Sequence, residues 1–83
     1  MVARVAQDIG CGPDAVEKLV RLARKAFRAG EYYASVDDKG AERMLEHRCA
    51  RVELFAASLG LDTRWPGLWP VFEKNGVPVH LPD

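Results

Sequence analysis

The sequence has few cysteines, few aromatic residues and no net charge. Two cysteines, Cys11 and Cys49, are too few for a disulfide framework, so we expect reduced thiols in a cytoplasmic protein. Twelve basic side chains balance twelve acidic ones, which removes any global attraction to nucleic acid or to a membrane. The sequence shows no charged-then-apolar pattern of a signal peptide and no run near the roughly 20 apolar residues of a membrane span. We therefore expect no membrane association.

Three helices are predicted, over about residues 2–9, 13–29 and 38–59. In each of them apolar residues recur at spacings of three and four, as on one face of a helix. Gly10 suits the left-handed position after the first helix, and Pro13 suits the first turn of the second. Gly30 is the predicted end of the second helix, and Asp37 or Asp38 is the predicted N-cap of the third.

A β-hairpin is predicted near the C-terminal end, with strands over about residues 70–74 and 77–81. Asn75-Gly76 is its expected turn, because a type I′ turn needs positive φ at both central residues. The turn places Lys74 opposite Val77. Pro78 has no amide hydrogen to donate to a further strand, so its strand is predicted to lie at the edge of the sheet. Four apolar side chains then share one face and are expected to cover the helices: Phe72, Val77, Val79 and Leu81.

The predicted fold is therefore an α-rich α+β domain in which residues 1–83 form one small unit. A domain of this size buries only about 60% of the surface that its unfolded chain exposes, so a partner surface would stabilise it. The third predicted helix has apolar residues on more than one face. We therefore expect a homodimer.

The second predicted helix has a basic side opposite its apolar side. Residues 1–30 hold six basic and three acidic side chains, whereas residues 31–83 hold six basic and nine acidic side chains, so the N-terminal part is the more positive. The cations on this helix are the candidate contacts to nucleic-acid phosphates: Lys18, Arg21, Arg24, Lys25 and Arg28. The alternative is a solvated basic face on an ordinary helical hairpin.

Residues 5–20, VAQDIGCGPDAVEKLV, carry a small residue, a turn glycine and apolar residues in a characteristic order. Ala6 lets a second helix approach, Gly10 takes the turn, and Val16 and Leu19 fill the angle between the helices. The stretch resembles a helix-turn-helix, and this resemblance implies binding to double-stranded DNA. The outward positions at the start of the second helix carry no base-reading donors, so we expect phosphate contact rather than sequence reading.

Two further resemblances involve short segments. Asp8-Ile9-Gly10-Cys11-Gly12-Pro13 is similar to the glycine loop of S-adenosylmethionine-dependent methyltransferases, but that loop needs a preceding buried strand, and residues 2–9 have a helical period. Leu59-Gly60-Leu61 after a long helix is similar to small phage proteins, including terminase small subunits. This second resemblance implies a phage or prophage accessory protein.

An alternative function is a protein–protein interaction module. Trp65 and Trp69 lie four residues apart, each followed by a proline, and tryptophans are frequent anchors of protein interfaces. With Val77 and Val79 of the hairpin they form the candidate protein interface. The tryptophans can instead fill the gap between the helices and the hairpin.

The sequence offers no catalytic or metal-binding pattern, and we expect neither an enzyme nor a cofactor. His47 and Cys49 are two apart on a helix, where they point about 200° from each other and cannot share an ion. Neither His80 nor either serine has a motif around it. The third helix alternates acidic residues with arginines, which predicts a solvated face linked by salt bridges: Glu42, Glu46 and Glu53 with Arg43, Arg48 and Arg51.

Overall fold

The computed structural model describes residues 2–82 and confirms an α-rich α+β fold. It contains three helices followed by a three-stranded antiparallel sheet: α1 Val2–Ile9, α2 Pro13–Val36, α3 Lys39–Ser58, β1 Asp62–Arg64, β2 Val71–Lys74 and β3 Val77–Val79. Within residues 2–82, no helix combines the length and the apolar character needed to cross a membrane.

The turn between α1 and α2 has the predicted form. Gly10 has a φ of 86°, and the amides of Gly10 and Cys11 both donate to the carbonyl oxygen of Ala6, at 2.8 and 2.9 Å. Pro13 lies in the first turn of α2. Backbone amides there have no acceptor within the helix, so the missing amide hydrogen of proline costs no hydrogen bond. The local sequence therefore fixes how the chain enters the long second helix.

The predicted end of α2 at Gly30 is wrong, because the helix continues to Val36. Gly30 lies inside it and is buried, and a Cβ atom there would come within 2.7 Å of Leu68 Cδ2. The glycine thus allows a close approach by the loop before β2. The helix ends where Asp37 takes a left-handed φ of 49° and its amide donates to the Tyr33 carbonyl at 2.8 Å.

The N-cap of α3 is Asp38, one of the two predicted residues. Its Oδ1 accepts a hydrogen bond from the amide of Ala41 at 2.8 Å, which satisfies one of the free donors in the first turn. The helix then runs antiparallel to α2 after a two-residue connection, and the two make the largest contact in the molecule.

The predicted hairpin is present with the predicted register. Asn75 and Gly76 have φ values of 53° and 79°, and Lys74 pairs with Val77. A third strand, β1, was not predicted. Its three residues are too few to show an alternating pattern, and its partner β2 begins seven residues after β1 ends. Arg64 of β1 forms an ion pair with Glu73 of β2 at 2.5 Å.

The sheet covers the helices mainly through one side chain, Phe72, which is 1% exposed. Phe72 joins a core that includes fully buried Val16, Leu19 and Val52. The expectation that Val77 also covers the helices is wrong, because Val77 is 63% exposed at the tip of the hairpin. The other two residues of that predicted face, Val79 and Leu81, are half-buried against the core.

Replacing Phe72 by alanine should remove the main contact between the sheet and the helices. We expect Phe72→Ala to lower the free energy of unfolding by about 3–5 kcal/mol, since it leaves a large cavity in a small core. Val77→Ala on the next strand is the control and should change it by less than about 0.5 kcal/mol. Urea denaturation followed by circular dichroism measures both, and equal effects would contradict this description of the core.

Candidate functional site

The predicted basic side of α2 is exposed along its whole length. At about 100° per residue, its five cations fall within an arc of about 120° on the side opposite the buried residues: Lys18, Arg21, Arg24, Lys25 and Arg28. All five are exposed. The one ion pair found in residues 2–82 joins Arg64 to Glu73, so no carboxylate neutralises these cations by direct contact.

The structure adds two arginines from α3 to this side of the molecule. Two shallow cavities of about 330 and 240 Å³ lie side by side where α2 and α3 meet. The first is lined by Lys18, Leu22, Arg51, Leu54, Phe55 and Ser58. The second is lined by Lys25, Arg28, Ala29, Tyr32, Met44 and Arg48.

We call these two cavities together the α2–α3 groove. Five of its twelve lining residues are basic, and within the described part of the chain none is acidic. Sequence reasoning missed Arg48 and Arg51 because it assigned them to salt bridges with the glutamates of their own helix. The heptad-like spacing of Met44, Arg48, Arg51 and Phe55 was a signal that could have identified them.

The acidic residues of α3 lie on a different side of the helix. By helical geometry, Glu42, Glu46 and Glu53 fall within about 40° of one another and more than about 120° from Arg48 and Arg51. Glu42 is the main cause of a raised pKa at the Tyr33 hydroxyl, to which desolvation and Asp37 add. Lys39 and Arg43 lie nearer to these glutamates by the same geometry. The predicted salt bridges are nevertheless not formed, because no ion pair joins the charges of α3 within residues 2–82.

Apolar side chains are exposed along the same groove. Tyr32 is 53% exposed, Met44 48% and Leu54 73%. The Nζ atom of Lys18 lies 4.7 Å from the centroid of the Phe55 ring, in the range of a cation–π interaction. The groove thus combines positive charge with exposed apolar surface.

The segment that resembles a helix-turn-helix packs as predicted. Ala6, Val16 and Leu19 are buried where α1 meets α2. The exposed N-terminal end of α2 carries Gly12 and Asp14, and its cations begin one turn later, at Lys18. The same packing serves any short helical hairpin, so the resemblance stays a prediction.

The structure does not bring the four predicted protein-interface residues into one patch. Trp69 packs edge-to-face on Phe27 of α2, with ring centroids 6.0 Å apart, and Trp65 packs against the core. The tryptophans therefore fill the space between helices and sheet. Val77 borders a separate cavity of about 600 Å³ between α1 and β3, and Trp65 borders another beside Val71.

The outer edge of β3 is a poor surface for adding a strand. The two-residue turn makes Lys74 and Val77 a hydrogen-bonded pair, so the backbone of the next residue, Pro78, faces outward. Proline has no amide hydrogen to donate there, so a docking strand would lose that hydrogen bond.

The candidate metal and catalytic residues remain apart. In the part of the chain that the structure describes, no three residues of the His, Cys, Asp and Glu types cluster to hold a metal ion. The hydroxyls of Ser35 and Ser58 donate to the backbone carbonyls of Tyr32 and Phe55, three residues earlier in each helix. These hydroxyls are therefore engaged in helical hydrogen bonds.

No protein-family model matches this chain, and it has no significant match among curated proteins or solved structures.

The thiol of Cys49 should react slowly. Burial raises its pKa, and the carboxylate of Glu53 raises it further, so less thiolate forms at a given pH. In a Cys11→Ser background, we expect iodoacetamide to label Cys49 more slowly in the folded protein than in urea. The Cys49 thiol keeps its proton up to a higher pH in the folded state than in the unfolded state. Its contribution to the free energy of unfolding is therefore fully present below the unfolded pKa, and it is lost as pH rises through the folded pKa. Equal labelling rates would contradict the described burial.

Proposed function

We propose that this protein is a small non-enzymatic DNA-associated protein that contacts the phosphates of double-stranded DNA through the exposed side of α2. The observation that supports this proposal is the row of exposed cations on one side of α2. Within residues 2–82, these five cations have no ion-pair partner, and the glutamates of α3 lie away from Arg48 and Arg51 on their own helix. Such a surface attracts a polyanion even though the whole chain has no net charge.

The dimensions of this surface suit a duplex. Lys18 and Arg28 are ten residues apart, which is about 15 Å along a helix. A DNA duplex presents one negative charge per about 1.7 Å of its axis. Cations spread over this length can each find a phosphate without a special DNA sequence.

The proposed contact is independent of base sequence. The N-terminal end of a second helix is what reads base edges in a helix-turn-helix. Here that end is exposed but carries Gly12, Pro13 and Asp14, which supply no side-chain donor for a base. A carboxylate near phosphates is also repelled. The contact would therefore resemble nonspecific DNA association, as in an accessory protein of a phage or prophage.

A second candidate function is protein–protein interaction. The exposure of Tyr32, Met44 and Leu54 along the α2–α3 groove favours it, because phosphates offer nothing to cover apolar side chains. The half-buried tryptophans favour it less, since they already pack within the domain. The same protein can associate with DNA through one side of α2 and with a protein through the groove.

The DNA proposal is tested by titrating a labelled random-sequence duplex and following fluorescence anisotropy at several salt concentrations. We expect binding that weakens steeply with salt and that is equal for duplexes of different sequence. Arg21→Gln or Arg24→Gln should each flatten the slope of log K against log salt by about 0.9, the effect of one lost phosphate contact.

Arg4→Gln on α1 is the matched control, because it removes the same charge from an exposed residue outside α2. It should leave the slope unchanged. Absence of binding at low salt would overturn the DNA proposal, and an Arg4 variant as weak as the Arg21 variant would show that the contact is not on α2.

A further inference from the structure

The two long helices each carry a second, outward seam beside the seam that joins them. On α2 it consists of Lys18, Leu22, Lys25, Ala29 and Tyr32; on α3 it consists of Met44, Arg48, Arg51, Phe55 and Ser58. Both series have spacings of four, three, four and three residues, the spacing by which a helix faces a neighbour in a coiled coil. All ten residues line the α2–α3 groove.

The cavities of the groove repeat with the period of a helix. Leu22 and Phe55 line the first cavity. Ala29, seven residues after Leu22, and Arg48, seven residues before Phe55, line the second. Seven residues correspond to about 10.5 Å, or nearly two turns. Two holes at this distance match side chains at i and i+7 of a third helix lying along the groove.

The positive charge of the groove indicates which charged residues the third helix carries. Five of the lining residues are cations, and within residues 2–82 no acidic residue lines the groove. A symmetric dimer through this face would place one basic surface against the same basic surface of the second copy, because a two-fold interface uses the same patch on both subunits. A second copy is therefore disfavoured here, and a helix with carboxylates beside its apolar stripe is complementary.

We propose that the α2–α3 groove binds one acidic amphipathic α-helix of a partner protein. Its apolar residues at i and i+7 enter the two cavities, over Leu22, Phe55 and the small Ala29. Met44 and Leu54 cover the sides of the apolar stripe, while Arg48 and Arg51 pair with its flanking carboxylates. The bound helix completes a three-helix bundle on the side that α1 and the sheet leave open.

This inference goes beyond the DNA association and depends on other residues. Arg21 and Arg24 do not line the groove, whereas Met44 and Leu54 do. The two activities can therefore fail separately. Lys18, Lys25 and Arg28 lie on the border between the two surfaces, so their substitution would affect both activities.

The test uses a designed 21-residue peptide as the probe, about 30 Å long when helical. The peptide carries Leu at positions i, i+4, i+7 and i+11, Glu on both flanks and Ala elsewhere, and a permuted peptide of the same composition has no apolar face. Binding is measured by isothermal titration calorimetry and mapped by amide chemical shifts. We expect the amphipathic peptide to bind at least about 10-fold more tightly than the permuted one, with shifts concentrated on α2 and α3.

Variants that conserve charge show where the peptide binds. Met44→Gln with Leu54→Gln should weaken peptide binding about 10-fold, while Val77→Gln, an exposed apolar residue of β3, should leave it unchanged. The Met44/Leu54 variant should bind duplex DNA as the wild type does, and circular dichroism verifies that it is folded.

Three results would overturn the inference: equal binding of both peptides, full peptide binding by the Met44/Leu54 variant, or loss of DNA binding by that variant. The last result would assign the groove to nucleic acid. Failure of the DNA titration alone leaves the peptide result standing, because the peptide assay contains no DNA.

Discussion

The close contact between α2 and α3 is the constraint on which the rest of this structure depends. Six of the ten buried residues of these two helices are small: Ala23, Ala26, Ala29 and Gly30 of α2, and Ala41 and Ala56 of α3. Small side chains let two helices approach closely but leave little apolar volume between them. The core must therefore be completed from one side, where α1 and Phe72 of the sheet add the larger groups.

Completion of the core on one side leaves the other side open. There the close helices form a groove whose walls belong to α2 and α3 alone. Because Leu22 and Phe55 are only partly buried, the groove keeps an apolar floor under its basic rim. The same packing that stabilises the domain thus produces a surface where positive charge and exposed apolar area coincide, and both proposed activities use its border.

Much of the fold could be predicted from local signals. Gly10, Pro13, Asp38 and the Asn75-Gly76 turn act through the backbone within a few residues, so the first turn, the third helix and the hairpin register were predicted. Gly30 was wrongly predicted to end α2. A glycine is needed there because Leu68, a residue 38 positions later, packs closely against it. Strand β1 was missed for the same reason, since its pairing with β2 is a tertiary contact.

The sequence by itself determined the helical period, the turns and the exposed cations of α2, because these follow from spacing along a single helix. It did not determine which cations act together. Arg48 and Arg51 join Lys18 and Lys25 only because α3 packs antiparallel to α2 with its glutamates turned away. It also could not show that Trp69 packs on Phe27 and Trp65 against the core. The tertiary structure decided which cations lie together and where the tryptophans pack. The exposure of a side chain depends on which helices and strands pack against each other, whereas the sequence pattern specifies only which face of each element is apolar.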